Sequence, residues 1–195
     1  MTQYHDVLED LIFPSFIRSC IPDVNIEKLK TECYQIRDEN EGTMYSNRGG
    51  YHSPILNEDI EKEEFKKLVD LAHDFVNDTA NQFNLNNMPV RSKTGWWFNI
   101  NKSHHYNILH CHGRADLIGV YYISFPENGG ELSLLRKDGS EYGSLYRYVS
   151  DMLRIDLSPQ VGRLYLIPGH LWHYVTSNEG LDDRISVSFN FYFNL

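Results

Sequence analysis

The sequence predicts an α+β protein, mainly β, in which an N-terminal helical layer covers a β core. Two observations predict this class: residues 1–94 show helical periodicity, and residues 95–195 form short strand-like runs separated by turn residues. Several short strands between turns are typical of a sandwich or a barrel. Because 195 residues fit one domain, we expect a single domain, with residues 1–94 as a helical support segment and residues 95–195 as the β core.

Two helices are predicted in the first half of the chain. Asn25 is a residue type that favours the N-cap position, and the apolar residues after it follow at helical spacing. A second apolar stripe, in steps of three and four residues, predicts a helix over residues 59–83. The stretch between the helices, residues 46–54, is rich in Asn, Gly and Pro, and we predict that it forms a loop.

Five runs in the second half predict strands. They cover residues 96–100, 117–125, 131–135, 163–167 and 185–193. In the last run, apolar residues from Ile185 to Phe193 alternate with polar residues from Ser186 to Tyr192, so one face of this strand is expected to be buried. Residues 136–160 are predicted to be a long insert between strands, of the kind that often carries function.

Composition and charge argue against several function classes. The formal net charge is −9, so the sequence shows no excess of the basic residues that bind nucleic acid or an anionic membrane. No apolar run approaches the roughly 18 residues of a membrane span, and the first residues lack the pattern of a secretory signal. The odd number of cysteines, 3, suits a reducing compartment. We therefore expect a cytoplasmic protein without nucleic-acid or membrane partners.

Three of the 9 histidines are candidate metal ligands. His110 and His112 are two residues apart, so on a strand both imidazoles point to one face and can converge on one metal ion. A third ligand has to come from another strand, and His173, at an apparent strand start, is the candidate. A His-x-His pair alone is weak evidence, because most histidines are surface or hydrogen-bonded residues. Cys111, between the pair, is expected to point away from the metal and to be buried and inert.

Arg184 and Ser186 form a second candidate constellation. On a strand they share a face, where a guanidinium fork and a hydroxyl together suit a carboxylate. The alternative is an arginine at a strand end that pairs with Asp182 or Asp183. The metal-type histidines upstream favour the first interpretation, because a metal and a carboxylate clamp occur together in a specific kind of site.

The order and spacing of these motifs resemble the iron(II)/2-oxoglutarate-dependent oxygenases. The resemblance covers residues 95–195, is of the prolyl-hydroxylase-like kind, and is strongest to a bacterial and phage group of 2OG-Fe(II) oxygenases. That group also has the loop at residues 46–51, a Trp97-x-Asn99 strand and an asparagine at position 107. The shared core motifs are His110-x-His112, Gly119-Val120-Tyr121-Tyr122-Ile123, Gly129-Gly130-Glu131-Leu132, residues 162–168, His173-Tyr174-Val175 and residues 184–190.

The resemblance implies a double-stranded β-helix, a jelly-roll barrel related to the cupins, as the catalytic core. It implies Fe(II), 2-oxoglutarate and O2 as cofactors and leaves ascorbate open as a fourth. The residues it implies are His110, His112 and His173 for the metal, and Arg184, Ser186, Tyr122 and Asn107 for 2-oxoglutarate. One position departs from the family, because His112 stands where a carboxylate normally binds the iron. Asp116 is the alternative third ligand if the strand ends early.

The implied function is a dioxygenase, most simply a hydroxylase, that releases succinate and CO2. The expected substrate is a prolyl residue of a peptide or protein, and the alternative is a free amino acid or another small molecule. The oligomeric state is left open, with a homodimer as one option. Two other functions stay in view: a three-histidine cupin-type dioxygenase that does not use 2-oxoglutarate, and a non-catalytic metal-binding jelly roll. The presence of Arg184, Ser186 and Tyr122 argues against both.

Overall fold

The computed structural model describes residues 16–57, 61–82, 95–135 and 154–193. In these ranges the chain is mainly β, with short strands and two helices. The elements in chain order are β1 (Arg18–Cys20), α1 (Ile26–Glu39), β2 (Asn47–Arg48), β3 (Tyr51–His52), α2 (Glu63–Gln82), β4 (Trp96–Asn101), β5 (Tyr106–His110), β6 (Leu117–Ser124), β7 (Leu132–Leu135), β8 (Arg154–Leu157), β9 (Leu164–Pro168), β10 (Trp172–Val175) and β11 (Arg184–Phe191).

The strands form two antiparallel sheets. The larger sheet has six strands in the order β1-β9-β6-β11-β4-β3, and the smaller sheet has five in the order β2-β5-β10-β7-β8. Strand β11 lies between β4 and β6, so that Ser186 has Asn99 as its neighbour on one side and Tyr122 on the other. In the smaller sheet, His173 of β10 lies directly opposite His110 of β5. The mainly β architecture predicted from the sequence is therefore confirmed.

The two faces of β11 have different environments. The apolar residues of its alternating pattern, from Ile185 to Phe191, belong to the main hydrophobic core. The polar residues between them, Ser186, Ser188 and Asn190, line a cavity instead. One strand therefore carries both the packing of the fold and the wall of the cavity, as its period-two pattern predicts.

Both helices contribute side chains to the same core. Leu29 and Cys33 of α1 and Phe65 and Leu68 of α2 are fully buried in it, together with residues of the larger sheet. Helix α1 begins as predicted, since the Asn25 side chain accepts a hydrogen bond from the Lys28 amide at 3.0 Å. No helix in the described part of the chain is long and apolar enough to cross a membrane.

The predicted loop at residues 46–54 contains two short strands. Strand β2 pairs with β5 of the smaller sheet and β3 pairs with β4 of the larger one, so the segment connects the two sheets. Backbone hydrogen bonds to existing sheet edges produce these strands, and residue periodicity does not reveal such bonds. The Asn47 side chain supports the bend between them by donating to the carbonyls of Thr43 and Gly50.

Three further predictions differ from the structure in extent. The segment 1–94, predicted as helical, also supplies β1, β2 and β3 to the two sheets. The predicted insert at 136–160 lies mostly outside the described residues, but its last part contains β8, which pairs with β7. The predicted strand at 163–167 is observed one residue later, at Leu164–Pro168.

Packing of α2 on the larger sheet can be tested at Phe65. Its ring is fully buried and lies 4.8 Å from the ring of Trp96 and 5.9 Å from that of Phe98. We expect Phe65→Ala to lower the free energy of unfolding in urea by about 3–5 kcal/mol, because a large core side chain is removed. Leu181→Ala is the control, since Leu181 is 99% exposed and should change it by less than about 0.5 kcal/mol. Equal stability of the two variants would contradict this packing.

Candidate metal centre and carboxylate pocket

The three histidines predicted as ligands lie together. His110 and His173 are opposite each other in the smaller sheet, and His112 follows two residues after the end of β5. One ring nitrogen of each lies within 4.8 Å of one nitrogen of each of the others. The ring centroids of His110 and His173 are 4.3 Å apart, and His112 lies 5.2 Å from both. Three imidazoles at these separations can bind a single transition-metal ion.

Hydrogen bonds at Nδ1 orient all three rings. His110 and His173 each place Nδ1 against the backbone carbonyl of the residue two positions earlier, at 2.7 and 2.9 Å. His112 places Nδ1 at 2.6 Å from the side-chain oxygen of Asn190. Because each of these oxygens can only accept, each Nδ1 carries the proton and donates it. The Nε2 lone pairs are left free for a metal, which is the usual arrangement at histidine metal sites.

Burial keeps these histidines neutral. It lowers the pKa of His110 and of His112. Burial lowers the pKa of His173 to about 3, and the neighbouring His110 adds to the effect. Neutral imidazole is the form that binds a metal. The site therefore offers three uncharged nitrogen ligands, and a divalent ion bound there keeps its full charge.

His112 lies outside β5 and is positioned by a turn and by contacts of its ring. The chain turns after β5, with a hydrogen bond of 2.7 Å from the Ala115 amide to the His112 carbonyl. The prediction that both histidines of the pair lie on one strand is therefore wrong, because β5 ends at His110. The His112 ring instead stacks on Trp97, with centroids 5.7 Å apart and 16° between the planes. This stacking and the bond to Asn190 give the ring its orientation.

Asp116 and Cys111 differ from the three histidines in their contacts. Asp116 accepts a hydrogen bond from the Phe193 amide at 2.8 Å. Among the described residues, only the three histidines form a group that could hold a metal ion. Cys111 is half-buried and lines the cavity. The expectation that Cys111 is buried and faces away is therefore wrong, because the strand alternation on which it rested ends at His110.

All the predicted site residues meet at one cavity of about 650 Å³. Its walls also include apolar side chains, among them Ile118, Leu132 and Val175. A concave, mostly apolar cavity with a few convergent polar groups is typical of small-molecule sites. The predicted residues that line it are His110, His112, His173, Arg184, Ser186, Tyr122 and Asn107.

Arg184 is buried at this cavity with only part of its guanidinium bound. The side chain is 1% exposed, and Nη1 donates to the carbonyls of Gly129 and Thr176. Nη2 is buried and has no hydrogen-bond partner. Arg184 forms no ion pair with Asp182 or Asp183, all three being described residues, and Asp183 instead accepts from the Tyr34 hydroxyl at 2.8 Å. A buried cation with a free donor is prepared for an anionic ligand.

Gly130 makes the position of this guanidinium possible. Its φ is +89°, a left-handed conformation that favours glycine. A Cβ at this position would lie 2.7 Å from Arg184 Nη1 and 2.6 Å from the Thr176 carbonyl oxygen. Any side chain at position 130 would therefore displace the guanidinium or the carbonyls that hold it.

Three further polar residues predicted to bind 2-oxoglutarate, Ser186, Tyr122 and Asn107, line the same cavity as Arg184. Ser186 and Tyr122 are cross-strand neighbours on β11 and β6. Burial raises the pKa of Tyr122, and the charge of Arg184 partly opposes this, so the hydroxyl stays protonated and can donate. The side-chain amide of Asn107 donates to Ser46 Oγ at 3.3 Å.

Three residues of the site were not predicted to act there, although Trp97 and Asn99 stand in one of the family motifs. Asn99 lines the cavity, and its side-chain oxygen is buried without a partner. Asn190 orients His112, and Trp97 stacks on that ring. The polar face of β11 could have indicated Asn190, because Ser186, Ser188 and Asn190 alternate with buried residues. The partners of Trp97 lie on separate elements, so no spacing in the sequence reveals them.

The geometry agrees with comparisons to known proteins. The family described as "Putative 2OG-Fe(II) oxygenase" matches residues 95–190. The match agrees with the family that the sequence motifs predicted, and this family consists of oxidoreductases that use Fe(II), 2-oxoglutarate and O2. No curated protein sequence matches the chain.

Solved structures with the same fold include prolyl hydroxylases. A prolyl-4-hydroxylase from Pseudomonas putida is 16% identical with a TM-score of 0.64, and the match covers 90% of this chain and 91% of that one. A prolyl hydroxylase from Trichoplax adhaerens, in complex with a peptide fragment of hypoxia inducible factor, is 14% identical with a TM-score of 0.66, covering 90% and 83%. A 2OG-Fe(II) oxygenase family oxidoreductase from Burkholderia pseudomallei is 12% identical with a TM-score of 0.60, covering 85% and 76%. These likenesses show the fold.

Metal binding by the histidines can be tested against Asp116. We expect His112→Ala to abolish stoichiometric Fe(II) binding, because it removes one of three converging nitrogens. Asp116→Ala should bind Fe(II) as the unchanged protein does. The measurement is an anaerobic Fe(II) titration by calorimetry, with circular dichroism to show that both variants fold. The opposite pattern would identify Asp116 as the ligand.

The position of the Arg184 guanidinium can be tested by substitution of Gly130. Gly130→Ala should weaken 2-oxoglutarate binding by about tenfold or more, because the new methyl displaces the guanidinium. Fe(II) affinity should stay the same. Gly162→Ala is the matched control, since Gly162 also has a positive φ, of 79°, but a Cβ there meets only the side chain of Ile26. Equal 2-oxoglutarate affinity in the two variants, measured by calorimetry without O2, would show that Gly130 has no such role.

Proposed function

We propose that the protein is an Fe(II)- and 2-oxoglutarate-dependent dioxygenase that hydroxylates its substrate and releases succinate and CO2. The observation that carries this proposal is the unpartnered Nη2 of Arg184 in the same cavity as the histidine triad. A metal-type group beside a buried cation with a free donor suits a ligand that has two acidic ends. 2-Oxoglutarate has one end for the metal and one carboxylate for the arginine.

The residues have distinct roles in this proposal. His110, His112 and His173 hold the iron through Nε2, while Arg184 Nη2 pairs with the distal carboxylate of 2-oxoglutarate. Ser186 and Tyr122 donate hydroxyl hydrogen bonds to the same carboxylate, and Asn107 lines the cavity. With both cofactors bound, O2 is activated and a substrate C–H bond is oxidised while 2-oxoglutarate is decarboxylated.

The chain itself supplies geometry and environment. The Nδ1 hydrogen bonds fix the ring orientations before a metal arrives, so binding requires little reorganisation. Three neutral ligands leave the charge of the metal to be neutralised by the bound dianion. The apolar side chains of the cavity exclude water from the reacting groups, which strengthens electrostatic interactions there.

The architecture and the location of the protein complete the proposal. The two sheets act as the two faces of a double-stranded β-helix, and α1 and α2 form the helical layer on the outside of the larger sheet. Residues 1–94 and 95–195 work as support and catalytic core of one domain. The protein acts in the cytoplasm, where Cys20, Cys33 and Cys111, all free thiols, stay reduced. Ascorbate remains a candidate reductant.

The proposed substrate is a prolyl residue, an amino acid or a related small molecule. A neighbouring structure from Trichoplax adhaerens holds a peptide fragment of hypoxia inducible factor, which supports a peptide substrate by fold alone. A three-histidine dioxygenase without 2-oxoglutarate is the other candidate activity, and a non-catalytic metal-binding jelly roll is the remaining one. Neither of these accounts for a buried arginine with a free donor in the metal cavity.

Turnover of 2-oxoglutarate tests the proposed function. We expect succinate formation that requires Fe(II) and 2-oxoglutarate, and Arg184→Ala should nearly abolish it, at a cost of about 2–5 kcal/mol for a lost buried charge pair. Arg184→Lys should raise the KM for 2-oxoglutarate, because lysine lacks the planar fork. Tyr122→Phe should have a smaller effect, of about 0.5–1.5 kcal/mol, for one neutral hydrogen bond.

The control for this series is Arg37→Ala, which removes a half-buried arginine of α1 that pairs with Asp38. It should leave the 2-oxoglutarate dependence unchanged. Unaltered dependence in Arg184→Ala would exclude 2-oxoglutarate from this pocket and would favour the three-histidine dioxygenase without it.

A further inference from the structure

Arg114 is a second arginine at the same cavity. It lies on the turn that follows His112, lines the cavity and is exposed. The turn is fixed at both ends, since His112 donates its amide to the Gly169 carbonyl at 2.9 Å and accepts from the Ala115 amide. The backbone therefore holds Arg114 at a defined position two residues from a candidate metal ligand.

Arg114 has no partner of its own in the described part of the chain. No hydrogen bond, ion pair or ring contact involves its side chain there. The nearest carboxyl group along the sequence, that of Asp116, binds the Phe193 amide instead. A guanidinium that forms no internal ion pair is available for an external anion.

The charge around the cavity strengthens this interpretation. The protein has a formal net charge of −9, yet no described residue that lines the cavity is acidic. Two arginines, Arg114 and Arg184, line it. The acidic excess therefore lies elsewhere, and the cavity is selectively positive. Arg184 is committed to the cosubstrate by the proposed function, so Arg114 is left to interact with another anion.

Part of the remaining lining is apolar and exposed. Tyr45, Ile55 and Ile108 line the cavity and are 63%, 54% and 36% exposed, respectively. Exposed apolar side chains grouped at a cavity mark a surface that binds an apolar ligand. A ligand that satisfies both features has an apolar body and one anionic group.

We propose that Arg114 binds an oxyanion, a carboxylate or a phosphate, of a small apolar substrate. The inference rests on the proposed function, because it assumes that Arg184 and the metal are occupied by 2-oxoglutarate. It selects free acids over prolyl residues within a peptide, whose carbonyl is an uncharged amide.

Calorimetry with matched probes tests this site. The protein is loaded with Fe(II) and saturating 2-oxoglutarate without O2, and is titrated with cyclohexanecarboxylate, cyclohexylphosphonate and cyclohexanecarboxamide. We expect at least one oxyanion to bind about tenfold more tightly than the carboxamide. The phosphonate arm separates a phosphate-type preference from a carboxylate-type one. Arg114→Ala should remove the difference between the oxyanions and the amide, Arg114→Lys should retain part of it, and Arg37→Ala should leave it intact.

The outcomes separate this inference from the proposed function. Equal affinity for the oxyanions and the amide, binding of none of the probes, or a preference that survives Arg114→Ala would overturn the role of Arg114. Failure of 2-oxoglutarate to bind in the loading step would overturn the proposed function instead. In that case the same comparison, made on the Fe(II)-loaded Arg184→Ala protein with and without Arg114→Ala, still decides whether Arg114 binds an oxyanion.

Discussion

The guanidinium of Arg184 is buried, with one terminal nitrogen bound to two backbone carbonyls and the other without a partner. Removing an ionised group from water is costly unless it is paired and hydrogen-bonded. Burial lowers the pKa of Arg184, yet a guanidinium stays charged in proteins. The folded chain therefore contains a buried positive charge that is only partly hydrogen-bonded, and a bound carboxylate would pair with it. This unpaired charge indicates that the cavity binds a ligand.

Strand β11 connects Arg184 to the candidate metal centre. Its polar face carries, in succession, Arg184, Ser186 and Asn190. Arg184 is the proposed partner of the carboxylate, and Asn190 orients the ring of His112. Its apolar face is buried in the main core, where Val187 and Phe189 are fully buried. Because this strand is fixed by core packing, a rigid element sets the separation between Arg184 and Asn190, the residue that orients His112.

The sequence allowed much of this to be predicted, for identifiable reasons. The alternation from Ile185 to Phe193 depends only on the period of a strand, so both of its faces were correctly assigned. The grouping of His110 with His173 follows from motifs that specify neighbouring strands in a known family. Asn25 was correctly identified as an N-cap because capping depends on residues close in the sequence.

The remaining features depend on contacts that no local pattern encodes. His112 faces the other histidines because it stacks on Trp97 and bonds to Asn190, which is 78 positions away in the sequence. The carbonyls that hold Arg184 come from a turn and a strand end, and they are backbone groups without residue identity. The short strands at residues 47–48 and 51–52 form only because sheet edges are already present to pair with them.

The most direct test of this account is a crystal structure of the protein with Fe(II) and 2-oxoglutarate, grown without O2. The account predicts one iron bound by the Nε2 atoms of His110, His112 and His173, with the distal carboxylate of 2-oxoglutarate against Arg184 Nη2. An iron bound by Asp116 in place of His112, or a 2-oxoglutarate carboxylate that leaves Arg184 Nη2 unpaired, would contradict it.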